Sequence, residues 1–152
     1  MNMNTYSYME DFTEGQIFES GPVAVTAEDI IAFAEKFDPQ VFHLDAEAAK
    51  DSAFGELVAS GWHTAALTMS MIVAAMPAMK GGMIGRKVED MTWLRPVRPG
   101  DTLTYRGEVL GLRASTGNPS RGIMRTKNTT FNQHGEAVLE MTCIIFVPCR
   151  GE

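Results

Sequence analysis

The sequence predicts an α+β fold in which an antiparallel β-sheet wraps around one long helix. Two observations carry this prediction. The first half of the chain shows helical spacing and one long apolar segment, 62–76, whereas the second half shows four strand patterns in succession. Strands joined by short turns form antiparallel sheets, and such a sheet needs an apolar element against one face.

Length and composition narrow the class of protein. The 152 residues suit a single domain with one core, taken as residues 1–152. The net charge of −6 and the lack of a basic stripe argue against nucleic-acid binding. Residues 1–12 lack the pattern of a signal peptide, and no apolar stretch is long enough for a membrane span, so we expect a cytoplasmic protein. Cys143 and Cys149 are expected to be reduced thiols.

The first elements are short strands within 12–25, followed by a helix. Thr26 is the predicted N-cap, with Asp29 at the third helical position. Pro39 ends the helix, because a residue that precedes proline is pushed out of helical conformation. The apolar residues at helical spacing are Ile30, Ile31, Phe33, Ala34 and Phe37.

Two more helices are predicted before the strands. Asp45 caps a short helix that runs to about Phe54, with Gly55 at its end. Ser60 and Gly61 open the third and longest helix, which is apolar on nearly every face and is therefore predicted to be buried on all sides. The glycines predicted to end it are Gly81, Gly82 and Gly85.

The second half of the chain consists of strands and turns. The hairpin turn 132–135 and the loop 116–119 carry turn residues, and the prolines within 95–101 predict a stiff connection outside any central strand. The predicted strands lie near 86–95, 101–114, 121–132 and 136–148.

Asp38 and His43 are the first candidates for chemistry. Asp38 stands at the C-terminus of the first helix, and His43 follows a short break after Pro39. Such a turn can bring a carboxylate and an imidazole to one cavity, where they can hold a water and move its proton. The alternative is a surface aspartate and a hydrogen-bonded loop histidine, and spacing alone favours that alternative.

The backbone amide of Gly61 is the second candidate. The first amides of a helix have no internal partner and carry the positive end of the helix dipole. Glycine also lets a ligand approach the backbone, so this amide could polarise a carbonyl as an oxyanion hole does. The alternative is an ordinary helix start capped by Ser60.

The other two histidines and a metal site are weaker candidates. His63 lies one turn into the long helix, where packing is the commoner role, and His134 lies in the hairpin turn and is expected to be exposed. Asp38, His43 and Asp45 lack the paired spacing of zinc motifs, so no metal is expected.

Three stretches in order carry a resemblance to a known family: DPQVFHLD at 38–45, ASGWHT at 59–64 and WLRPVRPGDTL at 93–103. They resemble the MaoC-like dehydratases, the (R)-specific enoyl-CoA hydratase branch of the hotdog fold. The resemblance extends over about 12–148 and implies a hotdog, a long central helix wrapped by an antiparallel sheet. It also implies a homodimer or a dimer of dimers.

The resemblance further implies a reaction and a site. Asp38 and His43 would be the catalytic pair, and the Gly61 amide would bind the thioester carbonyl. The reaction would add water to an enoyl-CoA or remove it from a 3-hydroxyacyl-CoA, so coenzyme A belongs to the substrate and no separate cofactor is expected. The residues expected to contact the substrate are Gln40, Val41, Phe42, Ser60, Trp62 and His63.

Two differences from the family pattern keep other functions open. Many of these hydratases have Asn-Pro where this chain has Gln40 and Val41, and often a serine where it has Met69. A hotdog subunit that binds an acyl thioester without catalysis fits these differences, and an acyl-CoA thioesterase would use the same fold and ligand.

The phosphates of coenzyme A would need cationic partners. For each candidate, a solvated cation at a strand end is the alternative reading. The candidates are Arg86, Lys87, Arg121 and Arg125.

Overall fold

The computed structural model describes residues 5–151 and contains three α-helices and five β-strands within that range. Residues 1–4, part of the segment for which no signal peptide is expected, lie outside the described residues, as does Glu152. The helices are α1 (Ala27–Phe37), α2 (Val41–Leu44) and α3 (Gly61–Ala75). The strands are β1 (Ile17–Ala24), β2 (Ile84–Trp93), β3 (Thr102–Ala114), β4 (Arg121–Phe131) and β5 (Ala137–Pro148). Short 3-10 helices span Met9–Asp11 and Ala48–Asp51.

The five strands form one antiparallel sheet in the order β1-β3-β4-β5-β2. Helix α3 packs on one face of this sheet. The Thr68 hydroxyl lies 2.6 Å from the Thr130 hydroxyl of β4, and the Ser20 hydroxyl of β1 donates to the Met71 carbonyl at 2.6 Å. The predicted architecture, a long helix wrapped by an antiparallel sheet, is confirmed.

The start and end of α1 follow the predicted signals. The Thr26 hydroxyl accepts a hydrogen bond from the Asp29 amide at 3.1 Å, as an N-cap does. Asp38 leaves the helical conformation with φ −152° and ψ 68°, and Pro39 follows it. Asp38 therefore lies where α1 stops, and its carboxylate is free to turn toward the rest of the site.

The second predicted helix is much shorter than expected. Asp45 does cap a turn, since its carboxylate accepts from the Glu47 and Ala48 amides at 2.8 and 3.0 Å. Only Ala48–Asp51 is helical, however, and it is a 3-10 helix. The Ser52 hydroxyl donates to the Ala49 carbonyl and ends it, because serine hydrogen bonds of this kind compete with helix propagation.

The prediction that α3 is buried on all sides is wrong for the single chain. Trp62, Met69 and Val73 are exposed, because the sheet covers only the opposite side of the helix. The helix also ends at Ala75, before the predicted glycines, because Pro77 pushes Met76 into an extended conformation with ψ 143°. The side chains that α3 buries belong to His63, Thr64, Thr68, Met71 and Ile72.

The four predicted strands of the second half are confirmed within about two residues. The hairpin turn between β4 and β5 forms as expected, with the Asn132 side-chain oxygen accepting from the His134 and Glu136 amides. The connection 95–101 contains no strand, and the Asp101 carboxylate holds its turn by accepting from the Arg98 amide at 2.9 Å. None of the described helices combines the length and apolar character needed to cross a membrane.

Candidate active site

Asp38 is held by two neutral donors. The Gln40 amide group donates to Oδ1 at 2.7 Å, and the Ser60 hydroxyl donates to Oδ2 at 2.7 Å. Gln40 lies just past the end of α1, and Ser60 is the N-cap of α3. The carboxylate therefore bridges the C-terminus of one helix and the N-terminus of another.

His43 lies in the single turn of α2 and is buried. Its Nδ1 atom lies 2.7 Å from the Val58 carbonyl oxygen. A carbonyl only accepts hydrogen bonds, so Nδ1 carries the proton and Nε2 is the nitrogen that can gain or lose one. Nε2 lies 3.2 Å from Asp38 Oδ2.

The structure thus brings Asp38 and His43 into direct contact at one wall. The Asp38 side chain is only 18% exposed and contacts His43, so Asp38 is not the surface aspartate of the alternative interpretation. With Nδ1 bonded to Val58, the neutral ring presents a lone pair to the carboxylate. Such a pair is stable when a proton lies between its members or a donor such as water joins them.

The pKa of Asp38 is lowered below its usual value. The hydrogen bond from Ser60 is the main cause, with smaller contributions from Gln40 and His43, whereas burial acts in the opposite direction. Asp38 is therefore a carboxylate at neutral pH.

The N-terminus of α3 forms the second part of the site. The Ser60 hydroxyl accepts from the Trp62 amide at 3.3 Å, so one hydroxyl both caps the helix and holds Asp38. Among the described residues, no hydrogen bond is found for the Gly61 amide, as expected at the first position of a helix. That amide is available to a ligand in the pocket.

Trp93, which the sequence analysis did not single out, covers Gly61. Its indole nitrogen donates to the Gly61 carbonyl oxygen at 2.8 Å. A Cβ atom at position 61 would lie 2.6 Å from the indole ring, so only glycine fits beneath Trp93. Trp93 is the last residue of β2, and nothing in the spacing of the stretch WLRPV reveals that the indole folds back onto α3.

These residues line a pocket of about 410 Å³. Asp38, His43 and Gly61 lie on its wall together. The rings of Trp62 and Trp93 meet edge to face at 5.2 Å, and those of Phe42 and Phe54 do so likewise. The rest of the wall comes from Val58, Ala59, Thr64, Leu94, Arg95, Pro96 and Val97. The site combines a proton-exchanging pair, one helix-terminal amide and largely apolar walls.

Of the six residues expected to contact a substrate, the structure brings Phe42 and Trp62 to the pocket wall. Gln40 and Ser60 contact Asp38 and not the pocket itself. Val41 is exposed on α2 and does not line the pocket.

His63, the sixth of these residues, packs between helices. It is buried, and its ring stacks on Phe33 of α1 with centroids 4.8 Å apart. Nδ1 has no partner among the described residues. Burial lowers the pKa of His63, and the charge of Asp29 opposes that shift. His63 therefore has the packing role that is the commoner one for a histidine at this place in a helix.

His134 is placed as expected. His134 is exposed in the β4–β5 turn, and Cys143 and Cys149 are free thiols. Within residues 5–151, no group of three or more His, Cys, Asp or Glu side chains could hold a metal ion.

Comparisons with known proteins place this chain in a family. The MaoC-like domain matches residues 11–132. The structure of a MaoC-like dehydratase from Rhodospirillum rubrum is 43% identical, with a TM-score of 0.89 over 96% of this chain and 99% of the other. The R-hydratase PhaJ1 from Pseudomonas aeruginosa is 28% identical, with a TM-score of 0.77 over 94% of this chain and 86% of the other.

A shorter match carries another activity in its name. Mesaconyl-CoA hydratase from Cereibacter sphaeroides is 45% identical over 58 residues, which cover 38% of this chain and 17% of that protein. The chain belongs to the MaoC-like dehydratase family and has its hotdog fold.

Burial of His63 predicts a stability that depends on pH. Because its folded-state pKa lies below 6.5, the unfolded chain takes up the proton first as pH falls. The contribution of His63 is fully present above about pH 6.5 and is lost as pH falls toward the folded-state pKa. The free energy of unfolding in urea should therefore fall over that range, and His63→Met should weaken this dependence. His134→Gln, at an exposed site, is the control, and an unchanged pH dependence in His63→Met would contradict the prediction.

Proposed function

We propose that the protein is a hydratase or dehydratase that adds water to the C2–C3 double bond of a trans-2-enoyl-CoA, or removes it from the 3-hydroxyacyl-CoA. The 3.2 Å contact between Asp38 Oδ2 and His43 Nε2, on the wall of a pocket that includes Gly61, carries the proposal. The family and the names of the R-hydratase and the mesaconyl-CoA hydratase support it. Coenzyme A belongs to the substrate, and no separate cofactor is proposed. A cytoplasmic location stays a prediction.

Asp38 and His43 would act on one water as a unit. The water oxygen bonds to C3, and the electrons of the double bond move toward C2 and the thioester oxygen. The pair accepts one proton from the water and delivers one to C2, so that a hydrogen and a hydroxyl are added overall. The Val58 carbonyl keeps Nε2 as the exchanging nitrogen, and the Asp38 carboxylate stabilises the imidazolium when it forms.

The Gly61 amide would stabilise the negative charge that develops on the thioester oxygen. It is the first amide of α3 and lies on the same wall as the pair. Donors placed in advance at a developing oxyanion lower the barrier by a few kcal/mol, about 10²-fold in rate or more. Trp93 holds the Gly61 carbonyl and so fixes the direction of the peptide groups at this helix start.

The acyl group would lie against the aromatic and aliphatic wall. Phe42, Trp62 and Trp93 offer apolar surface next to the polar pair. This arrangement would explain why the stretch DPQVFHLD contains both charged and apolar residues. Asp38 and His43 would lie next to the reacting carbons, and Phe42 would face the acyl chain. Gln40 and Ser60 would act through Asp38.

The family resemblance implies a homodimer or a dimer of dimers, and we also propose that two chains pair through β2. Within residues 5–151, β2 is an edge strand that pairs only with β5, and it exposes Ile84 and Val88. The other edge, β1, is interrupted at Gly21 and Pro22, and proline blunts an edge because it lacks an amide hydrogen. An open edge beside exposed apolar residues is the surface that a second copy can cover.

Substitution of either member of the Asp38–His43 pair should remove most of the activity. Asp38→Asn and His43→Ala should each lower the hydration of enoyl-CoA thioesters by at least about 10²-fold, because each removes a member of the proton-exchanging unit. The measurement is the loss of enoyl absorbance with crotonyl-CoA and a panel of branched and aromatic enoyl-CoAs. Asp45→Asn and His134→Ala make the same chemical changes outside the pocket and should retain activity.

The outcome of that assay also separates the alternatives. Binding of acyl-CoA in calorimetry without product, across the whole panel, would indicate the non-catalytic acyl-thioester-binding subunit. Release of free thiol from acyl-CoA would indicate a thioesterase. Full activity in Asp38→Asn would reject the role assigned to that carboxylate.

Ser60→Ala should change the pH dependence of the reaction. The Ser60 hydrogen bond is the main cause of the lowered pKa of Asp38, so its loss raises that pKa toward the usual value. The carboxylate then protonates at a higher pH as pH falls, and the acidic limb of kcat/KM moves to higher pH. Ser70→Ala, an exposed serine on the same helix, should leave the profile unchanged. An unmoved acidic limb in a folded Ser60→Ala protein would contradict this coupling.

Val88→Lys should convert the proposed dimer into single chains. A charge at the centre of the open edge cannot be buried against a second copy without a large desolvation cost. Sedimentation velocity should show two chains per particle for the parent protein and one for the variant. Ile17→Lys, on the opposite edge strand, should remain dimeric. A parent protein that sediments as a single chain would overturn the dimer.

A further inference from the structure

A second cavity lies between α3 and the sheet, apart from the pocket that holds the Asp38–His43 pair. Its volume is about 380 Å³, and no lining residue is common to the two. Its wall is largely apolar, and a cavity of this size with a few polar groups is typical of a small-molecule site. Methionine side chains are flexible and adapt to the shape of a ligand. The methionines in the wall are Met69, Met76, Met83 and Met141.

The part of the cavity wall that β3 and β4 supply is polar. The Tyr105 hydroxyl donates to Asn128 Oδ1 at 2.7 Å, and the Asn128 amide group donates to the Thr126 hydroxyl oxygen at 3.1 Å. All three residues are buried and line the cavity, and we call them the polar floor. Gly107 makes room for this arrangement, because a Cβ atom at that position would overlap the Tyr105 hydroxyl.

Two hydrogen-bonding positions of the polar floor are unused. Within residues 5–151, no acceptor is found for the hydroxyl hydrogen of Thr126, and the Tyr105 hydroxyl oxygen accepts no hydrogen bond. Both positions lie next to the same Asn128 amide group. A hydroxyl group donates one hydrogen bond and accepts others, so one hydroxyl of a ligand suits this combination of an unused donor and an unused acceptor.

The polar floor suits a neutral group and not a carboxylate. Arg86 and Lys87 belong to the cavity wall, but their charged ends lie on the opposite face of the sheet from the floor. There the Lys87 ammonium contacts Glu89 at 3.3 Å, and the Arg86 guanidinium lies over the Phe146 ring at 5.7 Å. A carboxylate in the cavity would have no cationic partner among the described residues, and burial of an unpaired charge is costly.

Helix α3 connects this cavity to the pocket. Trp62 lines the pocket, and Met69, seven residues later on the same side of α3, lines the cavity. Seven residues are two helical turns, about 10 Å. Ala65 lies between Trp62 and Met69 on this side of the helix, and its small side chain leaves the groove along α3 open.

Strand β2 runs beside the same groove. Trp93 of the pocket pairs with Leu139, and Val88 of the cavity pairs with Cys143. Leu139 and Cys143 are four residues apart on β5 and therefore point to the same face of the sheet. Trp93 and Val88 share that face although they are five residues apart, because the register shifts between them at a bulge that contains Asp90, with φ 51°.

We propose that the protein acts on enoyl-CoA thioesters whose acyl chain carries a neutral hydroxyl group far from the thioester, and that the polar floor selects this group. This proposal rests on the proposed function. With the thioester carbonyl at the Gly61 amide, the chain runs along α3 into the second cavity. Its hydroxyl donates to the Tyr105 oxygen and accepts from the Thr126 hydroxyl. An unsubstituted chain of the same length leaves both positions unpaired and is disfavoured.

Binding of saturated thioesters tests the proposal without any turnover. In calorimetry, 8-hydroxyoctanoyl-CoA should bind the parent protein about tenfold more tightly than octanoyl-CoA, the effect of its added hydrogen bonds. Thr126→Val keeps the shape of the side chain and removes the donor, so it should abolish the preference. Thr129→Val, on the opposite face of the same strand, is the matched control and should retain it.

Equal binding of the two thioesters to the parent protein would overturn the proposal, since the polar floor would then hold only water. Failure of both to bind, or a preference that persists in Thr126→Val, would also overturn it. The comparison within the parent protein does not depend on how well any variant folds.

Hydration kinetics separate this proposal from the proposed function. In the parent protein, kcat/KM should be about tenfold higher for 8-hydroxy-trans-2-octenoyl-CoA than for trans-2-octenoyl-CoA, and the two should become equal in Thr126→Val. Crotonyl-CoA, whose acyl chain is too short to reach the floor, should react equally well with both proteins. A binding preference without hydration of any thioester would support the polar floor and reject the proposed reaction. Hydration of both octenoyl thioesters with equal kcat/KM would reject the polar floor and leave the proposed reaction in place.

Discussion

The site depends on one hydroxyl, that of Ser60. It caps α3 by accepting from the Trp62 amide, and it donates to the carboxylate at the end of α1. That carboxylate in turn contacts the imidazole of α2. Three short helical ends are therefore tied together by hydrogen bonds to two side chains, and the pair and the Gly61 amide share one wall because of it.

Polar groups this close to an apolar wall are stable only when they are paired. Burial alone would raise the pKa of Asp38, yet its hydrogen bonds outweigh burial and lower it. His43 is buried against the Val58 carbonyl, which fixes its tautomer without using the nitrogen that faces Asp38. His63 shows the opposite case: it is buried without a partner for Nδ1, and its pKa is lowered. His43 therefore keeps one ring nitrogen facing Asp38, whereas His63 only packs between helices.

Much of the fold could be predicted because local signals and tertiary packing agree. The Thr26 cap, the stop at Pro39 and the Asn132 turn each act within a few residues, and all appear in the structure. The predictions that were wrong concerned features that depend on distant contacts or on competition between weak local sequence signals. The exposure of Trp62 and Val73 depends on how far the sheet reaches around α3. The short 3-10 helix after Asp45 reflects a serine that competes with a helix of modest propensity.

The same distinction applies to the site. Asp38, His43 and Gly61 stand in recognisable stretches of sequence, so they could be named before their geometry was known. Trp93 could not, because its role arises from a hydrogen bond to Gly61, 32 residues away, and from the missing Cβ beneath its ring. Glycine at position 61 therefore meets two requirements. Its amide is open to the pocket, and the absence of a Cβ atom leaves room for the indole ring of Trp93. Either requirement alone would favour glycine, whereas only the Asp38–His43 pair can exchange a proton with water, so the pair carries the proposed chemistry.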